Sequence, residues 1–283
     1  MNQFTAACVQ LRSGKNVDDN IGLCSDLIRQ AAAAGARFIQ TPEMTNVLVR
    51  SRDELMERIT GEDDDMTLRQ LRRLAAELGV WIHIGSLAVR LGDKVANRAF
   101  LLSPDGGVAA RYSKIHMFDV DLPNGESWRE SATYEPGTKT VITDLPWTRM
   151  GLAICYDVRF PAIFREQARQ GAEMLTAPAA FTRQTGEAHW HVLQRARAIE
   201  NGAYVVSAAQ GGRHEDGRET YGHSLIVDPW GVVVGELDHD QPGFLTAVIR
   251  PEEAGKARQR IPAIANEREF SVEIVRQVQE ALN

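Results

Sequence analysis

Cysteine is scarce. Among 283 residues only Cys8, Cys24 and Cys155 carry thiols, an odd number at wide spacing. That argues against a disulfide framework and for a reducing setting, the cytoplasm being the expected one. Blocks of Lys and Arg are missing and the net charge is only −6, so nucleic acid is not an expected partner. No apolar run reaches the roughly 20 residues of a membrane span. The opening MNQFTAACVQ has no basic stretch leading into a long apolar one, so neither an export signal nor a membrane association is expected. Low-complexity sequence is lacking, apart from the alanine-rich AAAAG at 31–35. Neither GxGxxG nor GxxxxGK[ST] occurs, which removes the simplest nucleotide-binding readings. None of the seven histidines stands in a motif as the base of a Cys–His pair. His189 and His191 are two apart, which on a helix aims them at different faces and argues against zinc there.

What is present is an alternation of apolar runs and amphipathic stretches, the pattern of an α/β protein with a large core. FTAACVQL, ARFIQTPE and VWIHIGSLAV read as strands. Ile21, Cys24, Leu27, Ile28 and Ala31 share one helical face, and Leu68, Leu71, Leu74, Ala75 and Leu78 another. RAFLLSPDGGVAARY reads as a hairpin around its Pro-Asp-Gly-Gly. The second half repeats this order: GLAICYD answers FTAACVQ, QGAEMLTAPA answers AGARFIQTPE, and HSLIVDPWGVVVGEL is a second hairpin. Gly35 and Gly171, and likewise Pro42 and Pro178, are each 136 positions apart. Two related halves, each giving one mixed sheet, predict a four-layer α-β-β-α sandwich with internal pseudo-symmetry. Residues 1–270 are read as a single domain and 271–283 as a C-terminal helical tail, from the spacing of Ile274, Val275, Val278 and Leu282.

Three residues stand where strands give way to turns: Glu43 in FIQTPEM, Lys114 in RYSKIHMFD and Cys155 in GLAICYDVRFP. Singly, each has an ordinary reading, since a cysteine at a strand end is often inert core and Glu and Lys are usually surface charges. The position of Cys155 favours chemistry. A strand-to-helix turn exposes the thiol beside helix-terminal N–H groups, which favour a thiolate and can hold an oxyanion, the N–H of Tyr156 being the natural donor.

These three blocks, in this order, resemble the signature blocks of the nitrilase, or carbon–nitrogen hydrolase, superfamily, and the likeness extends to about Phe270. It implies the α-β-β-α fold, a Glu43–Lys114–Cys155 triad, and a homodimer or higher homo-oligomer formed through sheet-covering helices. It implies an amidase that cuts a small-molecule carboxamide to an acid and ammonia through a cysteine thioester, with no metal or organic cofactor. It also places a second glutamate at Glu130 in SWRESATYEPG, with Glu126 and Glu135 as nearby competitors. AAFTRQTGEAHWHVLQRARAIENG and GGRHEDGRETYGHSLIVDPWG resemble the Nit branch, more its amidases of deaminated glutathione than its ω-amidases of α-ketoglutaramate. Arg159, four residues after the cysteine, suits a carboxylate beside the scissile amide. Phe181 and Thr185 are expected on a loop over the same site. Arg183, His214 and Arg218 are candidates for a second carboxylate, set against the plainer reading of a solvated loop.

Overall fold

The computed structural model describes residues 3–123 and 125–275. In chain order, β1 (Phe4–Gln10), α1 (Val17–Ala33), β2 (Phe38–Gln40), α2 (Arg52–Arg58), α3 (Met66–Leu78), β3 (Trp81–Leu91), β4 (Lys94–Leu102) and β5 (Val108–Ser113) make up the first half. A small hairpin follows, β6 (Asp119–Asp121) and β7 (Ser127–Arg129). The second half holds β8 (Val141–Asp144), β9 (Arg149–Leu152), α4 (Pro161–Arg169), β10 (Met174–Thr176), α5 (Arg183–Asn201) and β11 (Tyr204–Ser207). It continues with a hairpin of β12 (Gly211–Arg213) and β13 (Glu219–Tyr221), then β14 (Leu225–Val227), β15 (Val233–Glu236), β16 (Gly243–Ile249) and α6 (Glu252–Arg260).

The sheet orders show the duplication. One sheet runs β16-β1-β2-β3-β4-β5 and the other β8-β9-β10-β11-β14-β15. In each, three parallel strands are followed by two antiparallel ones, and a further antiparallel strand closes the opposite edge. Gly35 and Gly171 occupy equivalent turns with φ of 91° and 88°, a conformation that costs glycine little.

Alternation along the strands builds the layers. Phe4, Ala6 and Cys8 of β1 join a core with Met150, Leu152, Leu175 and Val205 of the second sheet. Ala7 and Val9 face the other way, onto Cys24, Leu27 and Ile28 of α1 and Leu68, Leu71 and Leu74 of α3. Because successive strand residues point to opposite faces, one sheet is buried on both sides. α4 and α5 pack on the second sheet through β9, β11 and β14, completing the expected sandwich. The α3 face is held in place by its caps: the Asp65 side chain accepts from the Leu68 N–H, and Gly79 ends the helix at φ 65°.

Two local readings differ from the structure. The apolar run Gly151–Ile154 reads as the end of a strand, but the strand stops at Leu152, because the chain must turn to present Cys155. Residues 271–275 of the tail read as helical carry no helix, and 276–283 lie outside the described residues.

Candidate active site

Glu43 follows β2, Lys114 follows β5, Cys155 follows β9, and Glu130 follows the β6–β7 hairpin. These four chain segments meet at one end of the sandwich. Lys114 Nζ lies 2.9 Å from Glu43 Oε1 and 2.9 and 3.0 Å from the two Glu130 oxygens. Asn97, on β4, donates to Glu43 at 2.8 Å and to Glu130 at 3.2 Å. The Ala180 N–H holds the other Glu43 oxygen at 2.8 Å, and the Phe118 N–H binds Glu130 at 2.7 Å. The Cys155 thiol lies close enough to Glu43 for each to shift the other's titration. Lys114 is 2 % exposed and Glu43 4 %, so this is a buried cluster of two carboxylates, one ammonium and one thiol. Of the three glutamates weighed for the fourth position, Glu130 is the one bonded to Lys114.

Cys155 has φ +46°, a left-handed conformation that costs a non-glycine residue about 1–3 kcal/mol. The turn is fixed from two sides. The Cys155 N–H donates to the Pro178 carbonyl at 2.9 Å. Asp157, wholly buried, accepts from the Tyr112 hydroxyl at 2.6 Å, the Ile154 N–H at 2.9 Å, and the backbone and ring of His116 at 3.1 and 2.7 Å.

The electrostatics define the resting protonation. Burial alone would raise the Glu43 carboxyl, but attraction and hydrogen bonding from Lys114, with bonds from Asn97 and the thiol, hold it below the usual carboxylate range. Burial would likewise discharge Lys114, yet Glu130 and Glu43 push it well above its ordinary value. Burial and the Glu43 carboxylate drive the Cys155 thiol well above its usual range despite Lys114. At rest the site therefore holds a neutral thiol beside a carboxylate able to take its proton; the helix-terminal N–H groups that favour a thiolate do not outweigh burial.

A cleft of about 240 Å³ opens onto this cluster. Tyr156, Phe181 and Thr185 line it as expected, although Thr185 lies in the first turn of α5 rather than on a loop. Arg159 is set back from the lining. Its guanidinium lies 5.1 Å from the Phe181 ring centre and 5.8 Å from that of Tyr156, with His189 as its hydrogen-bond acceptor at 3.2 Å. Arg218 lines the cleft. Arg183 and His214 do not, correcting two of the three candidates for a second carboxylate. Arg183 is exposed and pairs with Glu187 and Glu219. His214 is buried, its Nδ1 donating to the Ser13 carbonyl and its Nε2 accepting from the Thr220 hydroxyl. Sequence reasoning missed Asn97, Arg50, Trp128 and Tyr134. Asn97 had one signal, an amide after Val95 and Ala96 in the first half of β4, whereas the other three sit in segments without periodicity. His189 and His191 do diverge: His189 meets Arg159, while His191 joins His223 and Glu236 in a group with ligand atoms within 4.8 Å of one another, none lining the cleft.

Comparison with known proteins agrees with this architecture. The family description "Carbon-nitrogen hydrolase" matches residues 5–259. A protein of Yersinia enterocolitica named deaminated glutathione amidase is 38% identical over 95% of this chain and 94% of its own. A Mus musculus protein of the same name is 40% identical over 94% of this chain and 83% of its own. The crystal structure of the C. elegans NitFhit protein superposes with a TM-score of 0.87 at 32% identity, covering 94% of this chain; this chain spans 65% of that one. A buried Glu–Lys–Cys cluster at the strand ends of a duplicated sandwich, matched by a family description over most of its length, places this chain in the carbon–nitrogen hydrolase family.

Proposed function

We propose that this hydrolase is an amidase acting on deaminated glutathione through a thioester on Cys155. The observation that carries the reading is the cleft itself: it ends at the Glu43–Lys114–Cys155–Glu130 cluster and has Arg50, Arg52, Arg129 and Arg218 along its wall. The relatives' names point to the same substrate.

In this mechanism Glu43 takes the thiol proton as Cys155 Sγ attacks the amide carbon. Lys114 and the Tyr156 N–H hold the oxyanion, and Glu130 fixes Lys114. Collapse breaks the C–N bond, and protonated Glu43 gives its proton to the departing nitrogen. Glu43 then takes a proton from water, the hydroxide attacks the thioester, and the acid leaves as Cys155 regains its proton. The leaving group corrects the simple expectation of ammonia. In deaminated glutathione the amide nitrogen carries cysteinylglycine, so the products are 2-oxoglutarate and that dipeptide; ammonia is released only from a primary amide such as α-ketoglutaramate. Arg159, with no carboxylate partner among the described residues, would bind the α-keto acid end that both substrates share.

The assembly proposed is a homodimer. Val192 and Ile199 of α5 are exposed beside Trp230 and Val232 of the β14–β15 turn, which Arg195 ties to the helix at 2.8 Å. Light scattering coupled to size exclusion tests this. No helix among the described residues is long and apolar enough to cross a membrane, and the three cysteines are unbridged, in keeping with a proposed cytoplasmic setting.

The test is release of 2-oxoglutarate from each of the two substrates, with Cys155→Ala as control. A higher kcat/KM for the tripeptide supports the proposal. A preference for α-ketoglutaramate would make the enzyme an ω-amidase instead.

A further inference from the structure

Two guanidinium groups converge on one indole at the cleft wall. Arg218 Cζ lies 4.4 Å, and Arg50 Cζ 4.8 Å, from the Trp128 ring centre, and all three residues line the cleft. The indole face attracts both cations, but their mutual repulsion is poorly answered. Asp216 lies 3.5 Å from Arg218, and among the described residues Arg50 has no carboxylate partner. The other cleft arginines are engaged elsewhere: Arg129 binds Asp121 through both oxygens, and Arg52 donates to the Asp93 carbonyl. Among the described residues, Trp128 Nε1 and Arg218 Nε are buried donors without an acceptor, an arrangement that costs stability until an acceptor arrives. Tyr134, which also lines the cleft, has the Met44 thioether at 3.8 Å as its hydroxyl's only partner among the described residues.

We infer that Arg50, Trp128 and Arg218 form a clamp for the terminal carboxylate of the leaving peptide, separate from the groups that bind the acyl half of the substrate. The inference rests on the deaminated-glutathione reading and deepens it. Both candidate substrates give the same 2-oxoglutaryl thioester, so nothing on the acyl side distinguishes them. Only the tripeptide has a second carboxylate, and it lies on the part that departs. A pair of guanidiniums flanking an aromatic face suits a carboxylate, which accepts two N–H bonds at once. The clamp therefore acts before and during acylation and has no ligand once cysteinylglycine has gone. Its place in the chain reinforces this. Trp128 lies on β7, and Glu130, which holds Lys114, is two residues further on, so an anion held by the arginines against Trp128 also steadies the strand that leads to Glu130.

The experiment compares deaminated glutathione, the same tripeptide with its glycine carboxylate converted to an amide, and α-ketoglutaramate. Wild type is expected to lose at least tenfold in kcat/KM on the amidated tripeptide, mostly through KM. Arg50→Gln and Arg218→Gln are each expected to lose about as much on the free tripeptide but little more on the amidated one, since the charge they read is gone; Arg218→Lys should fall between. On α-ketoglutaramate their loss should be at least fivefold smaller. Equal losses on all three substrates, or a wild type indifferent to the amidation, would overturn the clamp while leaving the amidase reading intact. A wild type that turns over α-ketoglutaramate but neither tripeptide overturns the deaminated-glutathione reading itself.

Discussion

Replacing Lys114 by Met tests whether the buried ammonium is what allows two carboxylates to share one site. Glu43 and Glu130 both reach within 3.0 Å of Lys114 Nζ, so they lie within about 6 Å of each other. At an effective dielectric near 20, two such charges repel by roughly 3 kcal/mol. The Asn97 amide they share is neutral and cannot offset this. Breaking a buried ionic cluster by removing one partner costs about 3–5 kcal/mol, or roughly 6–20 °C in melting temperature for a chain of this size. The sign with pH is fixed by the shifts. In the wild type the Glu43 carboxyl is held low, so its contribution is complete above the unfolded value of about 4.3 and is lost as pH falls through the folded one. In the variant at least one carboxyl is raised by burial and its neighbour, so stability is lost as pH climbs above about 4.3. The gap between the two proteins should be smallest near pH 4 and reach its full size by pH 7. Thermal and urea unfolding from pH 4 to 8 measure it. A gap that is independent of pH, or smaller than about 1 kcal/mol throughout, would sink the argument.

The depressed Glu43 carboxyl and the elevated Lys114 and Cys155 together predict a broad pH–rate plateau. kcat/KM should hold from pH 8 down past pH 5, dropping only as Glu43 protonates below about 4.3; an acid limb centred at pH 6–7 would contradict this. Tyr112→Phe removes one of four donors to Asp157 and should cost about 1.5–3 kcal/mol by denaturant unfolding, with kcat falling because the nucleophile's turn loosens. Gly85→Ala should destabilise severely and abolish activity, since a Cβ there would stand 2.1 Å from the Thr41 carbonyl and 2.6 Å from Pro178. Normal melting and turnover in the Gly85→Ala variant would show that the two proline loops do not need this close approach.

Much of the site was legible because strand ends are legible. Glu43, Lys114 and Cys155 each follow a strand, and strands that run in one direction within each sheet gather such ends on one side. The duplication was visible for a similar reason: Gly35 and Gly171 mark the same left-handed turn and Pro42 and Pro178 the same strand exit. What stayed hidden depends on contacts far apart in sequence. Nothing near His214 shows that Ser13, 201 residues away, accepts its proton, and nothing near Arg183 shows Glu219 within reach. Trp128 sits in a segment without periodicity, so its meeting with Arg50 and Arg218 had no one-dimensional trace. Helix-end dipoles at Cys155 can be read from the turn, whereas the burial that raises its thiol cannot.

Glu43 and Lys114 come from the first sheet's half of the chain and Cys155 from the second, and the Ala180 N–H that anchors Glu43 is 137 residues downstream. A ribosome-bound chain that has released only the first half thus carries the proposed base and cation, Glu43 and Lys114, without Cys155. An isolated second half carries a thiol with nothing to deprotonate it. Competence to form a thioester arrives in one step, when the sheets close on each other, so a partly made or partly unfolded chain is not a stray acylating agent. Because that closure depends on contacts of long sequence separation, which form slowly, the return of amidase activity after denaturation should trail the return of helix and strand signals and serve as a chemical clock for docking.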